Sequence, residues 1–205
     1  LPDSLEAASI NIHKQFQRMV DKKKITITES ESALALIAKT SNYKGYESAD
    51  FIIEAASENL EIKESVFKKL DDICSEKAVF VSNTSTFSIT SIASFTRRPE
   101  MVAGMHFFLP PSRLVELICG NRTSERTLSI IKSVGEKLGK TIVEVKKDSP
   151  GFIANRVYTP LFLEAFRVYE EGVASFEDID KAMTETYLPI GPFALADIIG
   201  LDVLL

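Results

Sequence analysis

Between residues 51 and 145, short apolar runs alternate with longer stretches whose apolar residues recur every three or four positions. No other feature of the chain constrains its fold as tightly. Phe51–Ala56, Ala78–Val81, Met101–Phe107, Leu114–Cys119 and Thr141–Val145 read as strands. Ile62, Val66, Phe67, Leu70 and Ile73 carry helical spacing, as do Leu128, Ile131, Val134 and Leu138, and Ile89–Phe95 reads as a short helix. Strands that alternate with helices bury both faces of a sheet, so this order predicts an α/β fold with a largely parallel sheet. Ahead of it, Leu5, Ala8, Ile12, Phe16 and Met19 mark an amphipathic helix started by Asp3 or Ser4, and Ile25–Thr28 reads as one more short strand.

The pattern changes after Lys147. Asp148-Ser149-Pro150-Gly151 is a cluster of breakers, and beyond it only helical periodicity remains, over 152–171, 176–187 and 193–199. The expected division is therefore an α/β domain over 1–147 and the start of an all-α domain over 148–205. The chain opens on Leu1-Pro2-Asp3-Ser4 and closes on the apolar run Gly200–Leu205, which reads as a piece of a longer protein.

A formal net charge of −5 with only short runs of lysine, at Lys22–Lys24 and Lys146–Lys147, argues against a nucleic-acid partner. No apolar stretch reaches membrane-spanning length. The two cysteines, Cys74 and Cys119, lack metal-site spacing and read as free thiols of a reducing, cytoplasmic compartment.

In an open α/β sheet, ligands bind beyond the carboxyl ends of the strands. Three successive strand ends here carry polar or titratable groups: Ser57-Glu58-Asn59, Ser82-Asn83-Thr84-Ser85-Thr86, and His106. The Ser82–Thr86 run equally suits a turn that caps the following helix. His13, the other of the two histidines, sits on the flank of the first helix. Glu116 shares a strand face with Leu114 and Ile118 by period-two alternation. A carboxylate among buried aliphatic side chains is costly unless something pairs with it, and His106 on a neighbouring strand is the candidate partner. An edge strand with Glu116 turned to water is the alternative.

Ser82-Asn83-Thr84-Ser85, Gly104-Met105-His106-Phe107-Phe108, Leu114-Val115-Glu116, Pro150-Gly151-Phe152-Ile153-Ala154-Asn155-Arg156 and Gly191-Pro192-Phe193 occur in the order, and near the spacing, of the L-3-hydroxyacyl-CoA dehydrogenases. The chain resembles that family from Glu58 almost to its end. The resemblance implies a Rossmann-like sheet and NAD-dependent oxidation of an L-3-hydroxyacyl-CoA to the 3-ketoacyl-CoA, in fatty-acid or butyrate-type metabolism, by a protein that pairs into homodimers. His106 would take the proton of the substrate hydroxyl, and Glu116 would orient His106. Ser85 and Asn155 match positions that hydrogen-bond the substrate. Glu58, Lys63 and Asn83 match positions on the cofactor and CoA side of the cleft. Read without the family, Asn155 is a polar group at a helix start.

The chain departs from the family's pattern in two places. None of its nine glycines forms the Gly-x-Gly of a dinucleotide-binding turn, so the chain alone is expected to bind NAD weakly. The family's usual Asn after His-Phe-Phe is Leu109 here, and the loop that follows is slightly shorter. Two other readings accompany the acyl-CoA dehydrogenase: a relative that oxidises a free hydroxy acid or sugar acid, and a non-catalytic scaffold that has lost its cofactor.

Overall fold

The computed structural model describes residues 2–108 and 112–200. By internal packing the chain divides into two compact units, Leu1–Ser48 and Ala49–Leu205.

The first unit is helical. Helix α1 covers Pro2–Asp21 and α2 covers Ile27–Ala35, followed by a 3-10 turn at Tyr46–Ser48. The strand expected at Ile25–Thr28 is not formed. Its β-branched alternation imitates a strand, but Thr26 and Glu29 form a reciprocal capping box: Glu29 N donates to Thr26 Oγ1 at 3.2 Å, and Thr26 N donates to Glu29 Oε2 at 2.7 Å. Those bonds satisfy helix-start amides that a strand would have offered to a neighbour, and α2 begins there instead. His13 is exposed, and its Nδ1 bonds the Ser9 carbonyl within α1.

The second unit holds the sheet. Its elements are β1 (Phe51–Glu54), α3 (Leu60–Ile73), β2 (Val79–Ser82), α4 (Ile89–Ala93), β3 (Val102–Phe107), β4 (Leu114–Ile118), α5 (Glu125–Lys137) and β5 (Thr141–Val145). Helices α6 (Ala154–Glu170), α7 (Phe176–Thr186) and α8 (Pro192–Ile199) follow. The five strands lie in the order β1-β2-β3-β4-β5, and every neighbouring pair is parallel except β3–β4. The exception has a geometric cause. Parallel neighbours need a crossover of a dozen residues or more; α3, α4 with its flanks, and α5 supply one, whereas 108–113 is too short. The expected α/β, mostly parallel sheet followed by helices is the architecture found.

Val79, Val81, Ala103, Met105, Val115, Leu117, Leu128 and Ile131 form a buried core cluster of sheet and α5 side chains. Gly104 lets two neighbours close in on β3: a Cβ there would lie 2.8 Å from Ile89 and 2.9 Å from Ile118. The turn into α6 carries consecutive left-handed residues, Gly151 at φ 73° and Phe152 at φ 50°. For a phenylalanine that conformation is strained, and Phe152 is buried there against the site described next.

Candidate active site at the carboxyl ends of the strands

His106 and Glu116 are register partners across the antiparallel β3–β4 pair. Glu116 Oε2 lies 2.8 Å from His106 Nδ1, and both side chains are buried. The other carboxylate oxygen, Oε1, accepts from the backbone N–H groups of Ile153 and Ala154, each at 2.9 Å, at the start of α6. Glu116 therefore acts as an acceptor only, with its charge facing amides at a helix N-terminus. That fixes the imidazole tautomer: Nδ1 carries a proton and donates it to Glu116, which leaves the Nε2 lone pair. Nε2 has no hydrogen-bond partner among the described residues, and no sealed polar side-chain atom among them is unpaired, so Nε2 is open to an incoming molecule. The Phe108 ring lies 4.5 Å and the Phe152 ring 5.8 Å from the imidazole, centroid to centroid, and both shield it from water.

The β2 end feeds the same rim. Asn83 Oδ1 accepts from the Phe107 amide at 2.9 Å, next to His106. Ser85 and Asn155 are half-buried, and neither side chain has a partner among the described residues. Asn155 lies one residue past Ala154, whose amide holds Glu116. Leu109 lies outside the described residues.

Glu58 and Lys63 belong to a polar cluster at the end of β1. The Lys63 ammonium is buried, 2.9 Å from Glu54 Oε1, 3.1 Å from Glu54 Oε2 and 3.2 Å from Glu58 Oε2. Glu58 Oε1 also accepts from the hydroxyls of Thr84 and Thr86. Burial alone would raise the Glu58 carboxyl, but those hydroxyls and the Lys63 charge outweigh it and hold the group below its ordinary value. Lys63 is buried against carboxylates, whereas the Glu58 side chain, though bonded into the cluster, is 39% exposed. Glu54 was not singled out from the sequence. Its only signal there is an acid closing an apolar strand, nine residues before a lysine.

Asp148 was read only as part of a breaker. It accepts from Ser88 Oγ at 2.7 Å, Ile89 N at 3.2 Å and Thr90 N at 2.7 Å, so it ties the segment after β5 to the start of α4. The turn reading of 82–86 is thereby divided: the cap of α4 is Ser88 with Asp148, while Ser82, Thr84 and Thr86 bond the β1-end carboxylates.

Polar strand ends gathered on one rim of the sheet, with an imidazole held by a buried carboxylate, form a candidate catalytic site where open α/β sheets bind their ligands. Residues 2–149 match the family model described as 3-hydroxyacyl-CoA dehydrogenase, NAD binding domain, and residues 151–205 match that of the 3-hydroxyacyl-CoA dehydrogenase C-terminal domain. The chain belongs to the 3-hydroxyacyl-CoA dehydrogenase family. It is 43% identical over 197 residues to the 3-hydroxybutyryl-CoA dehydrogenase of Clostridioides difficile, covering 95% of this chain and 70% of that protein. It is 45% identical over 204 residues to the probable 3-hydroxybutyryl-CoA dehydrogenase of Bacillus subtilis (strain 168), covering 98% and 71% respectively. The crystal structure of (S)-3-hydroxybutyryl-CoA dehydrogenase from Ralstonia eutropha superposes with a TM-score of 0.94 at 40% identity, over 100% of this chain and 73% of that one. No described helix is long and apolar enough to cross a membrane.

Proposed function

We propose that this protein oxidises the 3-hydroxyl of an L-3-hydroxyacyl-CoA to the 3-ketone, with NAD as hydride acceptor. One observation carries the reading: His106 presents an unpartnered Nε2 at the sheet rim while Glu116, its four acceptor positions largely filled, holds Nδ1. Nε2 receives the hydroxyl proton as the C–H bond breaks, and Glu116 balances the imidazolium that forms. Ser85 and Asn155, with unused side chains on the same rim, are the donors for the substrate oxygen. Glu58, Lys63 and Asn83 form the cofactor side. A partly exposed carboxylate suits the hydroxyls and amide of a nicotinamide nucleoside, and Lys63 and Asn83 hold the framework behind it. NAD, when bound, supplies the hydride acceptor, and the phenylalanines at 108 and 152 exclude water from the imidazole.

The change of character at Asp148 supports a functional boundary there, with 1–147 as the cofactor domain and 148–205 as the helical substrate and dimerisation domain. Pairing of two copies through the helices is what the resemblance to the family implies. The Cys119 thiol suits a reducing, cytoplasmic setting.

The test is NADH formation with L-3-hydroxybutyryl-CoA, against free 3-hydroxybutyrate and a sugar acid. Turnover of the thioester alone supports the reading. Turnover of the free acids assigns the chain to the related hydroxy-acid enzymes, and no turnover of any of them rejects catalysis by this chain.

A further inference from the structure

The cluster at the end of β1 has an organisation that points to a residue with no assigned role. Glu54 Oε1 accepts from Ala56 N at 2.6 Å and from Lys63 at 2.9 Å; Oε2 accepts from Ser82 Oγ at 2.6 Å and from Lys63 at 3.1 Å. All four acceptor positions of the carboxylate are used. The Glu54 carbonyl also accepts from Asn83 N at 2.8 Å. Lys63 has three protons and three carboxylate contacts, two on Glu54 and one on Glu58. Nothing is left on the ammonium for a ligand, so its effect must pass through Glu58. Glu58 in turn clamps Thr84 and Thr86. The loop that carries Asn83 and Ser85 is thus held at its start by Glu54 through Ser82, and at its middle by Glu54 through Lys63 and Glu58.

We propose that Glu54 is a positioning residue of the dehydrogenase site, acting through Lys63 on Glu58 and through Ser82 on the loop 82–86. The proposal rests on the reading of the protein as an NAD-dependent dehydrogenase. Glu54 itself is buried and touches no substrate. A carboxylate is required because a neutral amide cannot accept at all four positions or oppose the ammonium. With Gln at 54, Lys63 keeps one neutral acceptor there and Glu58 becomes its only carboxylate, which draws Glu58 off the threonines and frees the loop.

The test compares Glu54→Gln with Glu54→Gln/Lys63→Met in steady-state kinetics, thermal unfolding and amide hydrogen exchange. Glu54→Gln is expected to raise KM for NAD about tenfold, as when a charge-assisted hydrogen bond is weakened, with little change in kcat. Exchange should quicken at the Thr84 and Phe87 amides, which bond Ser82 Oγ and Thr84 Oγ1, and stay unchanged along β3. The double variant removes both buried charges together, so its melting temperature should return toward that of the parent. In that variant the raised KM and fast loop exchange should persist, because Ser82 has lost its carboxylate acceptor and Glu58 has lost its cation. KM and exchange that recover with the melting temperature, or that never move, overturn the proposal and leave Glu54 a structural residue. If the single variant fails to fold, the double variant decides alone. If the parent chain turns over no substrate, the dehydrogenase reading fails, and loop exchange still decides whether Glu54 holds the loop.

Discussion

Glu116 sits directly opposite His106 in the β3–β4 ladder and reaches its Nδ1 at 2.8 Å, while its second oxygen takes two amides from the first turn of α6. One carboxylate therefore fixes an imidazole from the sheet side and a helix from the other. Antiparallel pairing makes this geometry. Because β4 runs back along β3, a residue ten positions after the histidine stands face to face with it, at the rim where parallel strands end.

His106→Gln removes the free nitrogen and keeps approximate volume. Turnover should fall by roughly 10²–10⁴, the usual cost of losing a general base, with the melting temperature little changed. Steady-state kinetics at saturating NAD check it. Turnover equal to the parent in a folded variant would exclude His106 from proton transfer.

Glu116→Gln should lower kcat with a small effect on substrate KM, because the residue acts through the imidazole. In the double variant with His106→Gln the losses should fall far short of additive. Additive losses would show two independent contributions.

The pair was legible in the sequence because each half obeys a local rule: a polar residue at the end of an apolar strand, and an acid in phase with Leu114 and Ile118. Their distance was not, since it depends on the direction of β4, and strand patterning says nothing about direction. Glu54 was hidden for a related reason. Its partners lie 9 and 28 residues away, and only the packed sheet and α3 bring them together. Ile25–Thr28 failed in the opposite way. A convincing local pattern lost to a capping box, because β-branched alternation describes a half-buried surface and is not a backbone rule. The helices after Pro150 were legible throughout, since each long apolar stripe there has a single period to choose from.

Gly191 precedes α8 with ordinary backbone angles, φ −70° and ψ 155°, so its need is space. A Cβ there would fall 2.2 Å from Asp180 Cγ, the carboxyl that accepts from Phe193 N and Ala194 N at 2.8 Å each. Gly191→Ala is expected to destabilise by about 1–3 kcal/mol, the range for overpacking. Thermal unfolding reads it. Adding Asp180→Ala should recover part of that loss, because the clash disappears along with the cap; a full sum of the two single effects would refute the steric account.

Cys119 is half-buried beside Glu144, with Sγ 3.9 Å from Oε1. Burial, then the Glu144 charge, push its thiol up to about 11. At pH 8 the thiolate is then on the order of 0.1% of the population, against roughly a quarter for a free cysteine near 8.5. Alkylation by iodoacetamide, followed by peptide mapping, should be on the order of a hundredfold slower than for an unstructured cysteine. Glu144→Gln should accelerate it. Labelling at the free-cysteine rate would contradict the raised thiol.

Asp148 gives the pH dependence a defined sign. Burial would raise its carboxyl, but hydrogen bonds from Ser88 Oγ and from the Thr90 and Ile89 amides outweigh that and hold it below its ordinary value. A carboxyl depressed in the folded state binds its proton more readily in the unfolded chain. Its stabilisation is therefore complete above the unfolded value, near 3.9, and is lost as pH falls through the lower folded value. Asp148→Asn should cost about 1 kcal/mol at neutral pH, as for a weakened helix cap. The gap should close as pH drops below about 4, where the unfolded parent takes up a proton at Asp148 that the folded one resists. Glu58 and Asp71 are depressed as well, so acid destabilises parent and variant alike; only the difference between them reports Asp148. Urea unfolding of both proteins from pH 7 down to about pH 3 measures that difference. A gap that stays constant over the range would mean that the Ser88, Ile89 and Thr90 contacts contribute through shape and not through the charge of Asp148.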